Sequence, residues 1–162
     1  MQPPVNTAGG FSLLSLYPNP VLGRILAIDY GTRRTGVAAT DPGQRIASPL
    51  ETVPTHELMI YLDMYFKSED VEVMVVGWPL QMDGTASESM KPLQFFLQAF
   101  RKRFPGIRVE KVDERFTSSL AADALVRSGM KKQDRMKKGS LDKVSAALIL
   151  QSYLERRNKA LR

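Results

Sequence analysis

Two short runs of apolar residues stand out, Ile25 to Ile28 and Val73 to Val76, each without a polar interruption. Continuous runs of this length, rather than alternating ones, predict strands buried on both faces of a sheet. Between them lies a set of weaker signals. Residues 35–40 predict a second strand after a turn at Gly31 to Arg34, and Asp41-Pro42-Gly43 predicts a further turn. A third strand is expected over 45–53. Leu58, Leu62 and Tyr65, with Met59 and Phe66, recur at helical spacing and predict an amphipathic helix over 55–67.

After the second apolar run the chain reads Gly77-Trp78-Pro79, then a polar loop over 80–88. Leu93, Phe96, Leu97, Phe100 and Phe104 again keep helical spacing, and Pro105-Gly106 ends that helix. Residues 107–112 predict a fifth strand, and "DERFTS" follows it directly. A helix is expected from Thr117 to Arg127, then a basic segment over 131–139. A last helix is expected over 140–157, with Ser140 as its N-cap.

Strands joined by tight turns pair antiparallel, and strands separated by helices pair parallel. The predicted fold is therefore α/β. It is a mixed five-stranded sheet with strands 1 to 3 antiparallel and strands 4 and 5 parallel to strand 1, flanked by helices. In open sheets of this kind the site lies beyond the carboxyl ends of the parallel strands. Asp29, the Gly77-Trp78-Pro79 run and Asp113-Glu114-Arg115 all fall there.

The composition narrows the chemistry. The chain has 162 residues, enough for one domain with its own core. There is no cysteine and one histidine, so thiolate and multi-histidine metal sites are excluded. A metal here must be held by oxygen, which points to Mg²⁺ or Mn²⁺. The net charge of +6 favours a polyanionic partner. No apolar run is long enough to span a membrane. Residues 1–23 are expected to be a disordered extension, 24–157 a single domain and 158–162 a tail.

Asp29, at the end of a buried strand, is costly unless paired, and a metal ion is one partner. Asp113 and Glu114 are neighbours, so on a strand only one can readily share the face of Asp29. Glu114 is the longer and could reach in from the turn. Asp142 falls in the first turn of the last helix, where an acid is also favoured by the helix dipole alone. Ser145 is one turn on, and Ala146 and Ala147 would let that helix approach the sheet closely. Three such carboxylates together would suit divalent-metal phosphodiester hydrolysis. Arg33, Arg34 and Arg115 are candidate phosphate contacts. Lys131, Lys132, Arg135, Lys137 and Lys138 could hold a flanking backbone.

Four segments, "LAIDYGTRRTGVAATD", "VVGWPLQMDGTASE", "VDERFTSSLA" and "KKGSLDKVSAALILQSYL", together resemble the YqgF family, also called RuvX. They occur in the family's order from Arg24 to Leu154. The resemblance implies a ribonuclease H-like fold, a cytoplasmic bacterial location and a role in maturing the 5′ end of 16S rRNA. It also implies Asp29, Asp113, Glu114 and Asp142 as the acidic site residues. Asp29, Glu114 and Asp142 are the expected metal ligands, with the choice between Glu114 and Asp113 left open. Trp78, Gln81 and Phe116 depart from the family pattern without removing a carboxylate.

The expected partner is nucleic acid, precursor rRNA ahead of branched DNA, with the protein a monomer or homodimer. The alternatives are a Holliday junction resolvase, a non-catalytic RNA-binding assembly factor that keeps the fold, and an actin-like ATPase. The last duplicates the core, for which this chain is too short.

Overall fold

The computed structural model describes residues 22–114, 127, 129, 131, 133 and 139–162. Five strands form one sheet in the order β3-β2-β1-β4-β5. They are β1 (Arg24–Tyr30), β2 (Arg34–Thr40), β3 (Ala47–Pro54), β4 (Val71–Trp78) and β5 (Arg108–Asp113). β1 pairs antiparallel with β2, and β2 with β3. β4 runs parallel to both β1 and β5. The mixed sheet expected from turn and crossover lengths is thus observed.

Among the described residues, the helices that cover it are α1 (Leu58–Ser68), α2 (Met90–Arg103) and α3 (Ser140–Ala160). Side chains alternate between the faces of a strand. Leu26 and Ile28 of β1 and Met74 and Val76 of β4 therefore share one face. There they pack with Leu58 and Leu62 of α1 and with Leu93, Leu97 and Phe100 of α2. Phe66 meets Phe104 edge-on, with ring centroids 4.9 Å apart. On the other face Ile25, Ala27, Ala38, Val73, Val75 and Val112 pack against Ala146, Ile149, Leu150 and Leu154 of α3. Burial on both faces is why β1 and β4 read as unbroken apolar runs.

Several boundaries move. The first helix does not begin at Thr55: Thr55–Glu57 form a 3₁₀ turn and the α-helix starts at Leu58. The Thr55 side chain is engaged elsewhere, donating to the carbonyl of Gly31 at 2.6 Å. β3 starts at Ala47 rather than Arg45. The Asp41 carboxylate accepts from the backbone N–H groups of Arg45 and Ile46, which holds those residues in the turn. β4 extends beyond its apolar run in both directions, from Val71 to Trp78. α3 continues to Ala160, past Arg157.

Ser140 is not the N-cap of α3. Gly139 holds that position, with φ of +98°, a conformation that favours glycine. The helix expected over 117–127 lies outside the described residues apart from Arg127. Among the described residues, no helix is long and apolar enough to cross a membrane.

Candidate active site

Strand parity decides which acid points where. Ile25 and Ala27 face α3, so Asp29 faces α3 as well. On β5 Val112 faces α3, and Glu114 follows two residues later on the same side. Asp113 falls on the opposite parity, with Lys111 and Val109. Lys111 Nζ there lies 3.9 Å from the centre of the Trp78 ring, so that ring is engaged by a cation and by the core of α1 and α2. The structure thus brings Glu114 to Asp29 and leaves Asp113 exposed on the other side.

Two glycines make this meeting possible. Gly36 of β2 is paired directly with Asp29. Gly77 of β4 follows the Ile28–Val76 pair and so flanks Asp29 on its other side. A Cβ on Gly77 would stand 2.5 Å from Glu114 Oε2 and 2.6 Å from Ile149 Cδ1. The Glu114 carboxylate therefore lies in the space left by the missing side chain, and its backbone N–H is held by the carbonyl of Trp78 at 3.4 Å. A Cβ on Gly36 would overlap the backbone carbonyl of Asp142. The first turn of α3 consequently sits directly on β2, and this close approach carries Asp142 to the sheet.

A contact from the edge strand secures the same turn. The Thr52 hydroxyl of β3 donates to the carbonyl of Gly139. The space above Gly139 is filled by Thr52, whose Cβ would be 2.8 Å from an added methyl. Arg34 of β2 shares the parity of Gly36 and Ala38. Its Nε donates to Asp142 Oδ2 at 3.1 Å. Ser145 and Ala146 of α3 are both buried, as close packing of this helix requires.

The electrostatics follow from this crowding. Asp29 is raised above the ordinary carboxylate range, first by burial and also by the negative charge of Asp142; its hydrogen bond with Glu114 acts the other way. Glu114 is pushed up to about 8, chiefly by burial, then by the charge of Asp29, its hydrogen bond with Asp29 and the charge of Asp113. Two carboxylates in a hydrogen bond cannot both be ionised cheaply, so the pair holds a proton near neutral pH. Among the described residues no group of three or more His, Cys, Asp and Glu has the arrangement of a preformed metal site. Asp29 and Glu114 share a hydrogen bond, and Asp142 is bonded to Arg34.

The remaining candidates divide. Arg33 is exposed in the β1–β2 turn, and its carbonyl accepts from the backbone of Thr55 at 2.9 Å. Lys131 is exposed. Arg115, Lys132, Arg135, Lys137 and Lys138 lie outside the described residues. Gly36, Thr52 and Gly139 were not singled out by sequence as site-forming, and Gly77 was placed at the site only as part of the Gly77-Trp78-Pro79 run. A glycine inside a strand does signal close approach by another group, which would have pointed to Gly36 and Gly77. Thr52 gives no such signal, because its partner is 87 residues away.

Comparison with known proteins gives a consistent picture. A protein of Bacteroides fragilis named "Putative pre-16S rRNA nuclease" is 50% identical over 134 residues, covering 83% of this chain and 97% of its own. One of Phocaeicola vulgatus with the same name is 52% identical over 134 residues, covering 83% and 96%. The structure of Thermus thermophilus RuvC superposes with a TM-score of 0.50 at 14% identity, covering 83% of this chain and 96% of that one. A second structure of that protein, in complex with a Holliday junction substrate, also gives 0.50, at 16% identity. At such identities the likeness speaks for the fold, which is that of RuvC. Residues 23–156 match the family described as "RuvX: Holliday junction resolvase", and the chain belongs to that family.

Proposed function

We propose that this protein is a divalent-metal-dependent nuclease that hydrolyses phosphodiester bonds in the 5′-end maturation of precursor 16S rRNA, in the cytoplasm. The observation that carries this reading is that Asp29 near the carboxyl end of β1, Glu114 just past the end of β5 and Asp142 in the first turn of α3 all lie on the α3 face of the sheet. Gly36 and Gly77 clear the space for them. The rRNA assignment rests on the names of the relatives at about half identity.

The donor set suits Mg²⁺ or Mn²⁺. It consists of carboxylate oxygens, and the proton held between Asp29 and Glu114 occupies a place that a cation would neutralise better. Asp29, Glu114 and Asp142 would hold the metal, which when bound supplies Lewis-acid stabilisation of phosphate charge and a more acidic water. The rest of the work falls to the chain. Asp29 is fixed by β1, between two strands that cannot crowd it. Holding a metal there would require Glu114 to give up its proton, so metal uptake would be favoured as pH rises toward 8. Thr52 and Gly36 fix the turn that carries Asp142. Arg33, with the exposed Lys131, offers positive charge for substrate phosphates.

The test uses purified protein with Mg²⁺ or Mn²⁺, a labelled precursor 16S rRNA leader fragment, a four-way DNA junction and an Asp29→Asn control. RNA cleavage that disappears in the control supports the reading. Cleavage of the junction alone assigns the protein to the activity by which its family is described. Failure to cleave either, with nucleic acid still bound by both proteins, favours a non-catalytic assembly factor.

A further inference from the structure

Arg34 was expected on sequence to contact phosphate, yet here it bonds an acid of the site. The contact runs from Nε to Asp142 Oδ2 at 3.1 Å. The Arg34 side chain is 47% exposed and that of Asp142 25%. An ion pair this open to solvent is weak. It is therefore easily exchanged for a stronger partner.

The backbone beneath it is not easily moved. The β1–β2 turn is pinned to Thr55 by two bonds, to the carbonyls of Gly31 and Arg33. Asp142 is pinned by the packing of its own backbone over Gly36. Only the side chains have freedom to exchange. Toward the described residues, Arg34 bonds only through Nε, so the terminal fork of guanidinium donors remains for an oxyanion.

We propose that Arg34 is a placeholder cation. It neutralises Asp142 while the site is metal-free, yields that carboxylate when a divalent ion arrives, and then turns its guanidinium to a substrate phosphate. This inference rests on the metal-nuclease reading and adds a coupling to it. The metal competes with Arg34 for Asp142, and nucleic acid draws Arg34 away, so substrate tightens metal binding and metal tightens substrate binding.

The test begins without substrate. Mn²⁺ binding is measured by calorimetry on wild-type protein, Arg34→Ala and Arg34→Lys, and again in an Asp142→Asn background. Arg34→Ala removes the competitor and should bind Mn²⁺ about three- to tenfold more tightly. Arg34→Lys should fall between. In the Asp142→Asn background the Arg34 substitution should change nothing, because the shared carboxylate is gone.

The second arm measures binding of a labelled RNA oligonucleotide in the presence of Ca²⁺. Arg34→Ala should bind it several-fold more weakly. Tighter Mn²⁺ binding with weaker RNA binding supports the exchange. Equal or weaker Mn²⁺ binding by Arg34→Ala overturns it, as does tighter Mn²⁺ with RNA binding unchanged. A wild-type protein that takes up no Mn²⁺ overturns the metal-nuclease reading itself, which separates the two failures.

Discussion

Replacing Asp29 by Asn should make the metal-free protein more stable, and more so as pH rises. The sign comes from the proton on Glu114. In the unfolded chain this group titrates near 4.5, whereas in the fold it holds its proton to about 8. Between those values the folded state binds more protons than the unfolded one, so stability falls as pH increases. The penalty is absent below about 4.5 and complete above about 8. At about 1.4 kcal/mol per tenfold, ionising Glu114 costs at most on the order of 5 kcal/mol.

Burial is its first cause and survives the substitution; the charge and hydrogen bond of Asp29 do not. Asn recovers that smaller share together with the burial penalty on ionised Asp29 itself, in all at least about 1–2 kcal/mol at pH 9 and little at pH 4. For a domain of this size that is roughly 2–8 °C in melting midpoint. Thermal or urea unfolding of both proteins across pH 4–9, with chelator, reads the difference directly, and titrations common to both cancel. An Asn variant less stable at pH 9, or a difference independent of pH, would refute the shared-proton description. Saturating Mg²⁺ should raise the wild-type midpoint more than that of the variant.

The two other structural devices give equally definite outcomes. Gly77→Ala places a methyl 2.5 Å from Glu114 Oε2 and 2.6 Å from Ile149 Cδ1, so it should expel the carboxylate. The expected result is a folded protein destabilised by about 1–3 kcal/mol with nuclease activity lost, read by circular dichroism and cleavage assay. Thr52→Val removes the hydroxyl that holds the carbonyl of Gly139 while keeping the volume. It should lower kcat with little change in KM, and Thr52→Ser should restore kcat; a Ser variant as impaired as Val would remove the hydrogen bond from the account.

Local signals carried most of the fold. The unbroken run from Ile25 to Ile28 predicted a strand covered on both sides, and α1, α2 and α3 supply those covers. The helical spacing of Leu93, Leu97 and Phe100 likewise became the buried stripe of α2. Boundaries were less legible where a side chain had a distant use. Thr55 looks like a helix start, but its hydroxyl is bonded to the β1–β2 turn. Ser140 looks like a cap, but Gly139 takes that place because Thr52 packs where a side chain would stand. Trp78 packs beside the strand end, with Lys111 over its ring.

The candidate site divides the same way. The identities of Asp29, Glu114 and Asp142 were legible because acids at strand ends and in a first helical turn are conspicuous against apolar neighbours. The choice between Asp113 and Glu114 was not, since it depends on where the pleat of β5 stands relative to α3. That parity is set by packing across the sheet, and adjacent residues carry no information about it. The engagement of Arg34 with Asp142 joins positions 108 residues apart, and the seat of Gly139 on Thr52 joins positions 87 apart. By itself the sequence determined the order of elements, the absence of sulfur and multi-histidine ligands, and the acids available, because these depend on residue type and short-range periodicity. Only the tertiary structure decided which acids meet, which share a proton and which are bonded to arginine, because close approach and burial exist only once the chain has folded.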